Sequence, residues 1–74
     1  NPVTTINFDL PSESEVLLVI YNLQGREITT LVDNKLNAGY HSIIWNADQF
    51  SSGIYFLRMN ASSYVGTQKL MVVK

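Results

Sequence analysis

The run "VLLVIY", Val16 to Tyr21, is apolar throughout and fenced by turn-formers, with Ser12-Glu13-Ser14-Glu15 before it and Asn22-Leu23-Gln24-Gly25 after it. It is short and rich in β-branched residues, so the local chemistry favours a strand over a helix. A strand that is apolar on both parities must be covered on both faces, or face a well-filled second sheet. The rest of the chain has to supply that cover.

The neighbours are legible as alternations. In "TTINFDL", Ile6, Phe8 and Leu10 alternate with Thr5, Asn7 and Asp9, the period-two signature of a half-buried strand, and Pro11 ends it. Asn22 to Gly25 reads as a hairpin turn in which Gly25 supplies a positive φ that a residue with a Cβ would resist. The strand from Glu27 to Val32 places Ile28, Leu31 and Val32 around two threonines, and this slip in alternation predicts a bulge or an edge position. "DNKLNAGYH" reads as a polar loop closing at Gly39, "HSIIWNA" as a strand with Ile43 and Trp45 on one face, and "DQFSSG" as the next turn. From Gly53, "IYFLRMN" alternates Ile54, Phe56 and Arg58 against Tyr55, Leu57 and Met59. Asn60 to Ser63 turns the chain, and Tyr64 to Lys74 forms a last strand, or two joined by Gly66. About six or seven short strands at hairpin spacing predict an all-β fold, an immunoglobulin-like antiparallel β-sandwich. Its expected core is Ile6, Phe8, Val16, Leu18, Ile20, Ile43, Trp45, Tyr55, Leu57, Leu70 and Val72.

Size and charge narrow the function. A chain of 74 residues reads as one domain, near the size at which roughly 60% of the unfolded surface can be buried. It has no cysteine, so stability must come from packing without disulfides, and no thiolate metal site is available. A formal net charge of -1 with 15% charged residues argues against a phosphate-tracking surface, so nucleic acid is not an expected partner. The longest apolar run is far short of the ~20 residues of a membrane helix, so no membrane insertion is expected. The chain begins at Asn1 rather than Met, as expected of a piece of a longer polypeptide.

The residues that carry chemistry elsewhere are dispersed here. His41 is the lone histidine, expected on a strand face toward solvent or in a loop, and no metal-ligand spacing can be drawn from it. The carboxylates Asp9, Glu13, Glu15, Glu27, Asp33 and Asp48 are scattered over turns and strand ends, unlike the close oxygens of a calcium loop. "FSSG" lacks the context of a nucleophile elbow and reads as turn chemistry. Asn60-Ala61-Ser62 matches a glycosylation acceptor, a pattern short enough to arise by chance. Trp45, Tyr40, Tyr55 and Tyr64 either build a sugar-stacking face or supply the core and rim of a small sandwich. No catalytic residue, cofactor or metal site is expected.

Five segments, "NPVTTINFDLP", "VIYNLQGREITTLVD", "LNAGYHSIIWNA", "SSGIYFLRMNA" and "QKLMVVK", occur in an order and spacing that resembles the type A C-terminal sorting domain of the type IX secretion system, over essentially the whole chain. The same sandwich is similar to the immunoglobulin-like segment of flagellar hook-capping proteins. Asn22 stands where the sorting family often has Asp, and the Asn-Pro start lacks a preceding Pro.

The resemblance implies a secretion signal read as a folded domain, residues 1–74, monomeric and linked covalently to an upstream cargo. Its implied partners are the outer-membrane translocon, reached through the periplasm of a Gram-negative-type bacterium, and a sortase-like protease that in many members cleaves upstream and anchors the cargo at the cell surface. The motif and candidate recognition residues are Gly25, Arg26, Glu27, Gly53, Tyr55, Lys69 and Lys74. Arg26 has a competing structural reading, in which it pins the hairpin by hydrogen bonds to loop carbonyls. Lys69 and Lys74 bracket the last apolar strand and discourage edge-to-edge association. The alternative function is a carbohydrate-binding or structural accessory module of a secreted enzyme, and the first of these needs Trp45 exposed beside Tyr40.

Overall fold

The computed structural model describes residues 2–62 and 64–73. It contains six strands: β1 (Val3–Leu10), β2 (Ser14–Asn22), β3 (Glu27–Leu36), β4 (Gly39–Asn46), β5 (Gly53–Ala61) and β6 (Tyr64–Val72). All pairs are antiparallel. β1 and β4 form a two-stranded sheet that faces a four-stranded sheet of order β3-β2-β5-β6, the two-layer arrangement of an immunoglobulin-like sandwich.

β2 occupies an interior position of the larger sheet, as its composition requires. Its inward residues Val16, Leu18 and Ile20 are fully buried, and they join Ile6 and Leu10 of β1, Trp45 of β4, Tyr55 and Leu57 of β5, and Leu70 and Val72 of β6 in one core. On the opposite parity, Val19 is buried between the ladder partners Thr30 and Arg58, whereas Leu17 remains exposed. The outer face of the larger sheet therefore keeps an apolar character without a second layer over it. Phe8 and Ile43, expected in the core, are only half-buried and pack at its margin. The smaller sheet is too narrow to enclose them.

β3 extends beyond the expected strand. The segment Asp33 to Leu36, which reads as a polar loop, continues the ladder with β2, pairing Asp33 with Leu17, Asn34 with Val16, Lys35 with Glu15 and Leu36 with Ser14. This is an edge strand, and an edge exposed to water tolerates charge without losing its backbone pairing. Ser14 and Glu15 likewise belong to β2 rather than to the preceding turn. Ser14 is buried, donates to the Ser12 carbonyl at 2.9 Å and accepts from Ser62 at 3.0 Å, which satisfies its hydroxyl. The slip expected near the threonines is present as two register shifts, opposite Leu18/Val19 and Ile20/Tyr21.

β6 is one strand. Gly66 does not divide it; the ring of Tyr64, two residues earlier on the same face, occupies the space a Cβ at Gly66 would need. His41 is half-buried on β4, stacked on Phe8 with centroids 5.5 Å apart, and its Nε2–H donates to the Asn37 carbonyl at 2.8 Å. Its role is to fasten the β3–β4 connection to the sandwich.

Candidate recognition site

The β2–β3 connection is organised by Asn22. Gly25 N–H donates to the Asn22 carbonyl and Asn22 N–H to the Arg26 carbonyl, both at 2.9 Å, which leaves Leu23, Gln24 and Gly25 as the loop. This is the bonding of a three-residue hairpin whose last loop position is left-handed, and Gly25 has φ of 84°. The Asn22 side chain completes the turn, since its Oδ1 accepts the N–H of Gln24 at 3.0 Å and of Arg26 at 2.9 Å. Arg26 is thus held by its backbone. Its guanidinium has no hydrogen-bond or ion-pair partner among the described residues, so Asn22, not the Arg26 side chain, pins the hairpin. The charge is left facing water. Glu27 accepts from the Thr30 hydroxyl at 3.1 Å and is otherwise exposed.

The turn before β5 is built by a second side chain. Tyr55 is buried and its hydroxyl donates to the Ser51 carbonyl at 2.7 Å, tying the start of β5 to the loop four residues upstream, as a tyrosine corner does in related sandwiches. Its ring meets Trp45 edge-on, with centroids 5.5 Å apart and planes at 72°, and Phe50 lies 5.8 Å from Trp45. Gly53 opens β5 at φ of 153° with open space around it, so backbone conformation rather than crowding selects glycine.

Register brings these turns together. Asn22 faces Tyr55, Gly53 faces Val72, and Val3 faces Asn46, while Ala47 N–H donates to the Pro2 carbonyl. The hairpin, the β4–β5 turn, Pro2 and Val73 consequently lie at one pole of the sandwich. Between hairpin and turn is a cleft of about 440 Å³ lined by Asn22, Leu23, Gln24, Ile28, Phe50 and Tyr55 among others. On the outer face of the larger sheet, one row across the ladders reads Glu27, Tyr21, Phe56, Lys69, so Glu27 and Lys69 sit at opposite edges of it. Lys74 lies outside the described residues.

The aromatics do not form a sugar platform. Trp45 is 3% exposed and points inward, whereas Tyr40 is 73% exposed on the opposite parity of the same strand. Among the described residues, no group of three His, Asp or Glu side chains is placed to hold a metal ion, and no helix is long and apolar enough to cross a membrane.

The family model of the secretion system C-terminal sorting domain matches residues 1–74, the whole chain. The chain belongs to this family. No curated protein and no solved structure matches it significantly. A type IX sorting domain of this kind marks a secreted or cell-surface protein, is attached to an upstream cargo, is recognised by the type IX machinery, and belongs to a non-catalytic family. Within the sorting domain, Gly25, Arg26, Gly53 and Tyr55 share the pole, Glu27 begins β3 beside it, and Lys69 stands on the outer face of β6. The contribution of Asn22 is absent from the sequence-derived set. Its signal was available, because Asn at the first and Gly at the fourth position of a turn is a type I signature.

Proposed function

We propose that residues 1–74 act as a single sorting domain that directs a covalently attached cargo from the periplasm through the type IX outer-membrane translocon, after which a sortase-like protease cleaves upstream and anchors the cargo at the surface. The observation that carries this reading is the family match over the full chain. The clustering of Gly25, Arg26, Gly53 and Tyr55 at the pole that also holds Pro2 and Val73 supports a recognition surface there, with Arg26 as an unengaged cation. On this reading Asn22, Gly25, Gly53 and Tyr55 shape the surface, and Arg26, Glu27, Lys69 and Lys74 present charge to the partner.

The test is to fuse the chain behind a periplasmic reporter in a bacterium with a type IX system and compare cells with and without the translocon. Release only when the translocon is present is expected. Equal release from both strains refutes the sorting function. Retention of the intact fusion at the surface, with export preserved, removes the cleavage step alone.

A further inference from the structure

The two sheets differ in width, and the mismatch falls on one side. Along β6, the inward-parity residues Leu70 and Val72 are buried, but Tyr64 and Gln68 on the same parity are exposed. The amino-terminal part of β6 therefore extends beyond the roof made by β1 and β4. Under this overhang run two adjoining grooves of about 340 and 400 Å³, which share Phe8, Met59 and Tyr64. The floor is apolar, from Leu18 and Leu57 to Ala61. Asn7 points to the outer face of β1 and still lines the groove, so the groove reaches around the edge of that strand.

That edge is available for pairing. β1 is bonded to β4 on one side and to no other strand among the described residues, so from Thr5 to Asp9 one row of backbone N–H and C=O groups faces the groove side. Its β4 ladder runs from Val3 to Leu10 without a register shift. β3, by contrast, carries two shifts and several charges, features that keep an edge from pairing. The far end of the groove is lined by Asp9, and Glu13 lies between the lining residues Ser12 and Ser14. Neither carboxylate has an ion-pair partner among the described residues.

We propose that this groove receives an extended peptide segment, which adds to the free edge of β1 as a third strand and sets a cationic side chain beside Asp9 and Glu13. Three properties select that occupant. An unpaired strand edge demands backbone hydrogen bonds, which an extended peptide supplies. The apolar floor takes alternate side chains of such a strand. A second copy pairing through its own β1 would bring no cation to the groove, since Val3 to Leu10 carries Asp9 as its one charged residue. The carboxylates then set the sign of the charge.

The experiment uses the 74-residue chain and four synthetic peptides. The first is an acetylated octapeptide alternating threonine and valine with a lysine at one end; the second carries glutamate in place of lysine; the third and fourth are the lysine peptide N-methylated on alternate residues, along one edge in the third and along the other in the fourth. The lysine peptide is expected to perturb the amides of Thr5 to Asp9 and to protect from exchange the alternate ones that face away from β4, and the glutamate peptide to bind roughly three- to tenfold more weakly. The D9N/E13Q variant, altered only at exposed positions, should remove that difference between the two peptides. Of the two N-methylation registers, one should abolish binding and the other preserve it. Protection at β3 or β6 instead of β1, equal binding of both registers, or protection of β1 that rises with protein concentration in the absence of peptide would overturn the proposal; the last result would identify a second copy as the occupant.

Discussion

The Asn22 side chain reaches across the hairpin to accept the backbone N–H of Arg26 at 2.9 Å. The same oxygen accepts from Gln24 within the loop, so one atom holds both the loop and the far side of the turn. Replacing Asn22 with Ala should cost about 1 kcal/mol, the net worth of such local bonds. Asn22→Asp should fold as well as the parent, because both bonds end on an oxygen that a carboxylate also offers. Urea denaturation of the two variants checks this. Equal losses for Ala and Asp would mean that the amide nitrogen, not Oδ1, is the group that matters.

Trp45 fills the space between the two sheets, yet its Nε1–H has no hydrogen-bond partner among the described residues. Trp45→Ala should cost ~3–5 kcal/mol, which is most of the stability available to a domain this small. Trp45→Phe should cost less than its volume alone suggests, because the substitution also removes a buried donor whose lack of a partner costs ~1–3 kcal/mol. Thermal melts of both variants decide the matter. A Phe variant as damaged as the Ala variant would show that the indole N–H is bonded in solution.

Gly25 combines φ of 84° with empty space around its missing side chain. The strain of a substitution there is conformational, so Gly25→Val should destabilise by about 1–3 kcal/mol and Gly25→Asn by much less, since Asn visits the left-handed region more readily. Equal stability of the two variants would contradict the assigned turn.

Lys69 is exposed on the outer face of β6, opposite Phe56 in the ladder. Replacing Lys69 and Lys74 together with Ala should leave the melting temperature within a degree or two of the parent, as an exposed charge such as that of Lys69 contributes little, while lowering export of a fused reporter. Arg26→Ala should behave in the same way, since its guanidinium holds nothing in the described structure together. Deleting Leu70 to Lys74 should instead abolish folding, because Leu70 and Val72 are core residues. Normal export from both alanine variants would remove these cations from the recognition surface.

What could be read in advance follows the physics of each element. β2 was legible because a short apolar run between turns has few alternatives, and Gly25 because a tight hairpin needs a left-handed position. The second half of β3 was not. Asp33, Asn34 and Lys35 lie on an edge, where backbone pairing holds the strand and side-chain polarity carries little information. The half-burial of Phe8 and Ile43 was equally hidden, since alternation identifies an inward face without revealing whether the opposite layer is two strands wide or three. The motif glycines and Tyr55 were visible singly. Their meeting at one pole depends on the β2–β5 and β5–β6 registers, which join residues far apart in the chain and leave no local trace.

The placement of Pro2 and Val73 at the same pole has a mechanical consequence. Tension applied between these two residues cannot load the strands lengthwise, where whole ladders of hydrogen bonds would resist together in shear. It peels β1 from β4 and β6 from β5 beginning at that end, so the bonds yield one pair at a time. Forced opening is governed by the height of the unfolding barrier rather than by equilibrium stability, and a peeling geometry keeps that barrier low along this axis. The sandwich therefore offers low resistance to a pull between Pro2 and Val73, whatever its equilibrium stability.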